Sequence, residues 1–367
     1  MIRFHRFTLC LVFFAQACQT AKETKPTLSK QFDSLFQAHP EFNGVVLVAE
    51  KGQPIYHQAI GYRDFEKKIP LDTSTLFELA SVSKQFTAMI IMMLSEDGKI
   101  QYDDLLEKYI PGLPYPGITI RNLLNHTSGL PDYQKIMDEH WDKNRAAGND
   151  DIIQYLKQYH PSKNFEPGQR YEYSNTGYVM LGSVAEIASG LDFVNMCRSR
   201  IFTPLRMMST DIRTLDEKAL IKNFAVGYIY VTEKGRYVRA DSFPSSNYIV
   251  WLGNRKGPGR ISSTASDLLR WDRALYSEQL VKKEILQQAF TPARLTNDSI
   301  SNYGFGWMLR SNPSLGKVVY HTGSNPGFNT IIVRYIDTDK TVILLCNNAY
   351  SKFKKITSAI DSLVSLK

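Results

Sequence analysis

The chain has 367 residues, 43% of them hydrophobic and 22% charged, which is ample apolar material for a core and too much for a disordered chain. Its 44 basic and 36 acidic residues give a net charge of +8, but the basic residues are scattered and form no arginine-rich run, which argues against nucleic acid as a partner. Four cysteines exclude a disulfide-built scaffold.

Residues 1–17 carry Arg3 and Arg6, an apolar core from Phe7 to Ala15, and small residues at Ala15 and Ala17. This pattern predicts a secretory signal peptide, too short to span a bilayer as a mature helix. Its removal takes away two arginines and lowers the net charge to +6. The run Ala15-Gln16-Ala17-Cys18 resembles a bacterial lipoprotein box with Ala15 where leucine is usual, so Cys18 is the candidate lipid-attachment residue. The expected location is the cell envelope, periplasmic or outer-surface, with a lipid anchor in the membrane; plain cleavage after Ala17 and secretion is the alternative. Residues 18–28 read as a polar tether. Of the remaining cysteines, Cys346 lies in the apolar run Thr341–Cys346 and reads as a core thiol.

Residues 29–39 predict a helix, and 45–49, the Lys51-Gly52 turn and 55–60 predict a β-hairpin. The stretch from Leu79 to Leu94, stopped at Asp97-Gly98, is apolar at helical spacing and on its other sides too, as a buried helix requires. Helical patterns follow at 151–159, 177–188, 193–202 and 266–275; strands return at 303–309, 317–321, 329–336 and 341–347, and a last amphipathic helix contains Ile356, Ile360 and Val364. The order predicts an α+β fold in which an antiparallel sheet flanked by helices is built from both ends of the chain, 29–104 and 262–367, around a mostly helical insertion at 105–261.

Ser81 and Lys84 stand at the start of the buried helix. An i, i+3 pair shares one helix face, which brings the amine of Lys84 beside the hydroxyl of Ser81. Burial can drive a lysine to its neutral form, in which it can take the serine proton. Ser-x-x-Lys also occurs at Ser314/Lys317 and Ser351/Lys354, but neither opens a buried helix. A second constellation, Tyr173-Ser174-Asn175, follows a Pro-Gly turn and precedes a helical pattern, which places Tyr173 and Asn175 on a loop before a helix. Tyrosine can relay protons, and an asparagine amide can both donate to and accept from a substrate amide. Ser245-Ser246-Asn247 is a competing form of this element. The third constellation, His321-Thr322-Gly323, reads as the end of a strand followed by Ser324. His321 is expected as a partly protonated polar contact, and the Ser324 and Ser81 amides as donors to an oxyanion.

These three elements in this order resemble the class C β-lactamase and D-Ala-D-Ala carboxypeptidase family of serine hydrolases, the penicillin-recognising fold. Similar strings are Leu123-Leu-Asn-His126-Thr-Ser-Gly129-Leu130, Tyr303-Gly-Phe-Gly-Trp307 and Ser263-Thr-Ala-Ser-Asp267, so the resemblance spans roughly residues 40–350. It implies acyl transfer: Ser81 as nucleophile, Lys84 and Tyr173 as general base and acid, and Asn175, His321, Gly323 and Ser324 as substrate-binding residues. No metal or organic cofactor is implied. His321 stands where β-lactamases usually carry lysine, a weaker counter-ion for a substrate carboxylate. A carboxypeptidase-like, D-amino-acid-peptidase-like or esterase-like hydrolase is therefore expected, with a true β-lactamase and an inactive envelope binding protein as alternatives. No Gly-x-Ser-x-Gly or His-Glu-x-x-His motif competes.

Overall fold

A computed structural model describes residues 27–365, so the signal segment and Cys18 lie outside the described residues. Strands β1 (Gly44–Glu50) and β2 (Gln53–Ile60) form the expected hairpin, turning at Lys51 and Gly52 with φ of 50° and 74°. Four later strands complete the sheet: β3 (Met308–Asn312), β4 (Gly316–Asn325), β5 (Phe328–Tyr335) and β6 (Lys340–Cys346). The order is β3-β4-β5-β6-β1-β2, antiparallel throughout, so the two ends of the chain meet where Gly44 pairs with Cys346.

The helices that matter are α1 (Leu28–Gln37), α2 (Lys84–Glu96), α3 (Asn175–Ser189), α4 (Ala265–Ala274) and α5 (Phe353–Ser365). Strand alternation sorts the sheet into two cores. Val46, Val48, Val333, Val342 and Leu344 pack with Phe32 and Phe36 of α1 and Ile356 and Ile360 of α5. Val45, Leu47, Val319, Ile332, Ile343 and Leu345 pack into the larger core that contains α2 and α4. Because both faces are covered, the central strands read as continuous apolar runs rather than alternating ones. Helix α2 is buried from Lys84 to Leu94 and packs along α3, so its first turn sits where sheet and helical region meet.

Three local expectations are corrected. The predicted strand over 303–309 begins only at Met308, because Gly304 and Gly306 turn the chain; Gly306 has φ +77°, and a Cβ there would lie 2.9 Å from the Lys84 carbonyl oxygen. Strand β4 does not end at Gly323 but runs on to Asn325 and turns back at Pro326-Gly327. The region between Leu105 and Ile261 also contains β-structure. Tyr228–Val231 pairs with Arg236–Arg239, and Ile261–Ser263 pairs with Phe77–Glu78 and Asp211–Ile212. That last small sheet carries the loop before α4 against the start of α2. Cys197 and Cys346 are both buried and both free.

Candidate active site

Ser81 lies in a single 3-10 turn, Ala80–Ser83, that runs directly into α2. Ala80 has φ +49°, an unusual conformation for a residue with a Cβ, and the surroundings hold it there. The Leu79 N–H donates to Ile261 O at 2.8 Å, the Thr330 hydroxyl donates to Leu79 O at 2.7 Å, and the Ile261 N–H donates to Ser83 Oγ at 3.2 Å. Strand β4 passes close by. A Cβ on Gly323 would lie 2.2 Å from Leu79 O and 2.3 Å from Thr330 Oγ1, so only glycine lets the strand approach the nucleophile's turn. β3 pairs with β4 only as far as Tyr320, which leaves the run from His321 to Asn325 free of a sheet neighbour on that side. Gly323 is buried there, and Ser324, paired with Asn329, is exposed.

Lys84 is fully buried. Its Nζ is 3.1 Å from Ser81 Oγ, 2.8 Å from Asn175 Oδ1 and 2.9 Å from the Pro258 carbonyl oxygen. Desolvation, followed by repulsion from Arg255, holds the amine well below its usual range. Chemistry then distributes the contacts. A neutral amine has two N–H donors and one lone pair; Asn175 Oδ1 and Pro258 O can only accept, so both donors go to them and the lone pair is left for the Ser81 hydroxyl.

Asn175 is the first residue of α3 rather than a loop residue, and the Ser174 side chain caps that helix by accepting from the Gly177 N–H at 3.1 Å. Tyr173 immediately precedes the cap, and Lys84 Nζ lies 4.8 Å from its ring centre. Burial pushes the Tyr173 phenol up, and a hydrogen bond with Ser81 partly offsets this, so the phenol stays protonated at neutral pH. Ser314 and Ser351 sit in exposed turns, with Lys317 exposed on β4 and Lys354 exposed on α5, and Lys84 contacts Asn175 instead of the competing Asn247.

His321 departs from expectation. Its side chain is fully buried, with Nδ1 2.7 Å from the Thr322 carbonyl oxygen and Nε2 2.8 Å from the Tyr303 hydroxyl. A carbonyl can only accept, so Nδ1 carries the proton and Nε2 accepts from Tyr303. Desolvation by burial pushes its pKa down to about 3. The expected partly protonated contact is thus corrected to a neutral imidazole. Tyr303 and His126 complete the site, and the sequence reading gave neither a role. His126 is buried with φ +61°, and its ring centre lies 4.3 Å from that of Tyr173 and 4.5 Å from that of Tyr303. The signal for it was a histidine inside a Thr-Ser-Gly turn, Asn125-His126-Thr127-Ser128-Gly129.

The Beta-lactamase family profile matches residues 32–364. "Penicillin-binding protein 4*" of Bacillus subtilis is 43% identical over 322 residues, covering 87% of this chain and 71% of that protein. Among solved structures, a penicillin-binding protein from Bacillus halodurans aligns with a TM-score of 0.78 at 25% identity, covering 93% of this chain and all of that one. A D-amino acid amidase from Ochrobactrum anthropi SV3, complexed with L-phenylalanine amide, aligns with a TM-score of 0.74 at 25% identity over 92% of this chain and 98% of that one. The chain belongs to the beta-lactamase family and is a serine hydrolase related to penicillin-binding proteins.

Proposed function

We propose that the chain hydrolyses small amides or esters, of the D,D-carboxypeptidase, D-amino-acid-peptidase or esterase type, through an acyl-enzyme on Ser81. The observation that carries the reading is the three-way setting of Lys84 Nζ between Ser81, Asn175 and Pro258. Ser81 Oγ attacks the carbonyl carbon while its proton passes to Lys84 Nζ. The carbon–nitrogen or carbon–oxygen bond then breaks, and the protonated Tyr173 phenol is placed to give its proton to the leaving group and regain one from Lys84. Asn175 orients the substrate through its amide, and the backbone amides of Ser81 and Ser324 receive the oxyanion. Water attacks the ester by the same route in reverse and frees Ser81.

The buried, neutral His321 supports a preference for substrates other than β-lactams, since it supplies no cation for a carboxylate. The relatives include a D-amino acid amidase and penicillin-binding proteins, which suits D-configured amides. A panel of p-nitrophenyl esters, D-alanyl-D-alanine peptides, D-amino-acid amides and nitrocefin tests this. Turnover of the first three classes with slow nitrocefin cleavage is expected. Nitrocefin as the best substrate contradicts the substrate assignment, and turnover of nothing favours a binding protein.

The reading includes export and lipid anchoring at Cys18, motivated by the Ala15-Gln16-Ala17-Cys18 string. A clickable fatty acid fed to producing cells should tag the wild type and not Cys18→Ala. An untagged wild type in the medium would mean plain secretion.

A further inference from the structure

A cavity of about 620 Å³ lies between the β4–β5 turn, the segment 215–227 and the hairpin in which Tyr228–Val231 pairs with Arg236–Arg239. That size is within the roughly 300–1,000 Å³ of small-molecule sites. One wall is fixed by close packing: a Cβ on Gly327, in the β4–β5 turn, would lie 2.6 Å from Gly227 Cα. The lining is mostly apolar and includes Ile69, Leu215, Phe224, Ile249 and Phe328. Leu215 is 37% exposed, and Leu220, between the lining residues Ala219 and Ile221, is 83% exposed, so apolar surface is left uncovered next to the cavity.

Charge in the cavity is uneven. Three carboxylates line it, and each is engaged: Glu78 bonds the buried Lys218, Asp241 pairs with Arg239 at 2.8 Å, and Asp64 accepts from the Tyr228 hydroxyl at 2.9 Å and the Lys67 N–H at 3.0 Å. Five cations line the same space, so two are in excess. Lys218 and Arg239 are matched by their partners, and the exposed Lys67 shares the field of Asp64. The half-buried Arg63 and the exposed Lys222 form no ion pair among the described residues. Behind the wall stands a further cation: Arg260, 4% exposed, donates from Nη1 to Ile249 O at 3.3 Å and faces Glu78, which Lys218 already holds.

We propose that this cavity is a binding site for an amphiphilic anion, an alkyl or acyl chain that ends in a carboxylate or phosphate. The chain covers the leucine and phenylalanine wall, and the anionic end is held by Arg63 and Lys222, with Lys67 beside them. An uncharged chain would leave the excess cations unmatched, and a bare inorganic anion would leave the apolar wall wet; the lining matches a ligand that has both parts. The inference goes beyond the hydrolysis proposed above and does not depend on it. The cavity nevertheless adjoins that site, because Glu78 lies three residues before Ser81 and Pro326 two after Ser324. The ligand is therefore either a free amphiphile or the acyl part of a substrate, and the two give different results.

The test is calorimetric titration with octanoate, octan-1-ol and acetate, with circular dichroism as the check on folding. Wild type should bind octanoate saturably, and about tenfold more tightly than either the uncharged chain or the chainless anion. Arg63→Gln and Lys222→Gln should each weaken octanoate roughly threefold to tenfold and leave octan-1-ol within about twofold. Lys355→Gln, an exposed lysine of α5 outside the lining, should change nothing. Octan-1-ol or acetate bound as tightly as octanoate overturns the proposal, as does octanoate binding that is absent, or unchanged in the folded Arg63 and Lys222 variants. A second arm identifies the source, using the p-nitrophenyl esters of octanoic acid and, as the monoester, of octanedioic acid. If substrate supplies the chain, wild type prefers the carboxylated ester and Lys222→Gln loses that preference. If a free amphiphile does, the two esters react alike and octanoate binds without competing with p-nitrophenyl acetate. Turnover of neither ester counts against the hydrolase reading and leaves the titration to decide this one.

Discussion

His126 grips Tyr173 from both sides. Its carbonyl oxygen accepts from the Glu172 N–H at 2.9 Å, its Nδ1 accepts from the Ser174 N–H at 3.1 Å, and its ring lies tilted against the phenol between them. The phenol is therefore held through the backbone of both its neighbours, and the left-handed φ at His126 allows the carbonyl and the ring to face the same segment. Replacing His126 by alanine should lower kcat by about tenfold to a hundredfold with little change in KM, the pattern of a misplaced proton donor. Steady-state kinetics on a p-nitrophenyl ester decides this; a change confined to KM would assign His126 to binding.

Lys84 and Tyr173 share one proton route with Ser81, so their losses should overlap. Lys84→Ala and Tyr173→Phe should each reduce kcat by roughly a hundredfold or more. The double variant should lose much less than the product of the two. Strictly multiplicative losses would mean that the two residues act in separate steps.

The buried histidine at position 321 predicts an acid limit to stability. Its folded pKa of about 3 lies below the ordinary 6.5, so between those values the unfolded chain binds a proton that the folded chain does not. The contribution is fully present above pH 6.5 and is lost as the pH falls towards 3, on the order of a few kcal/mol over the window. His126, also pushed down by burial, acts in the same direction. Urea denaturation at a series of pH values should show stability falling more steeply for the wild type than for His321→Gln. Equal slopes would mean that His321 is not held neutral in the folded state.

Much of this architecture is local and so was legible. The hairpin at Lys51-Gly52, the all-apolar helix from Lys84 and the amphipathic last helix each announce themselves in runs of ten or so residues, and the Ser81/Lys84 pair needs only helical spacing. The pairing of β6 with β1 also follows once both ends of the chain are read as strands that need partners. The rest depends on side chains that meet only after folding. The Tyr303 bond that turns His321 away from a counter-ion role joins residues 18 apart on different elements. The grip of Pro258 on Lys84 spans 174 positions. The run Tyr303–Trp307 falls within a predicted strand, yet Gly306 lets the chain turn closely over the Lys84 carbonyl and Gly304 over that of Ala289. Sequence pattern reports burial; it does not report which buried groups bond to one another.

The mechanism requires that Ser81 be the serine that becomes acylated. Intact-protein mass spectrometry after treatment with a fluorophosphonate probe should show one adduct on the wild type, on Ser314→Ala and on Ser351→Ala, and none on Ser81→Ala. The Ser81→Ala protein should keep its fold, because the turn is held by Leu79, Ser83 and Thr330 and not by the Ser81 hydroxyl. An adduct of full stoichiometry on folded Ser81→Ala would place the nucleophile elsewhere and contradict the mechanism.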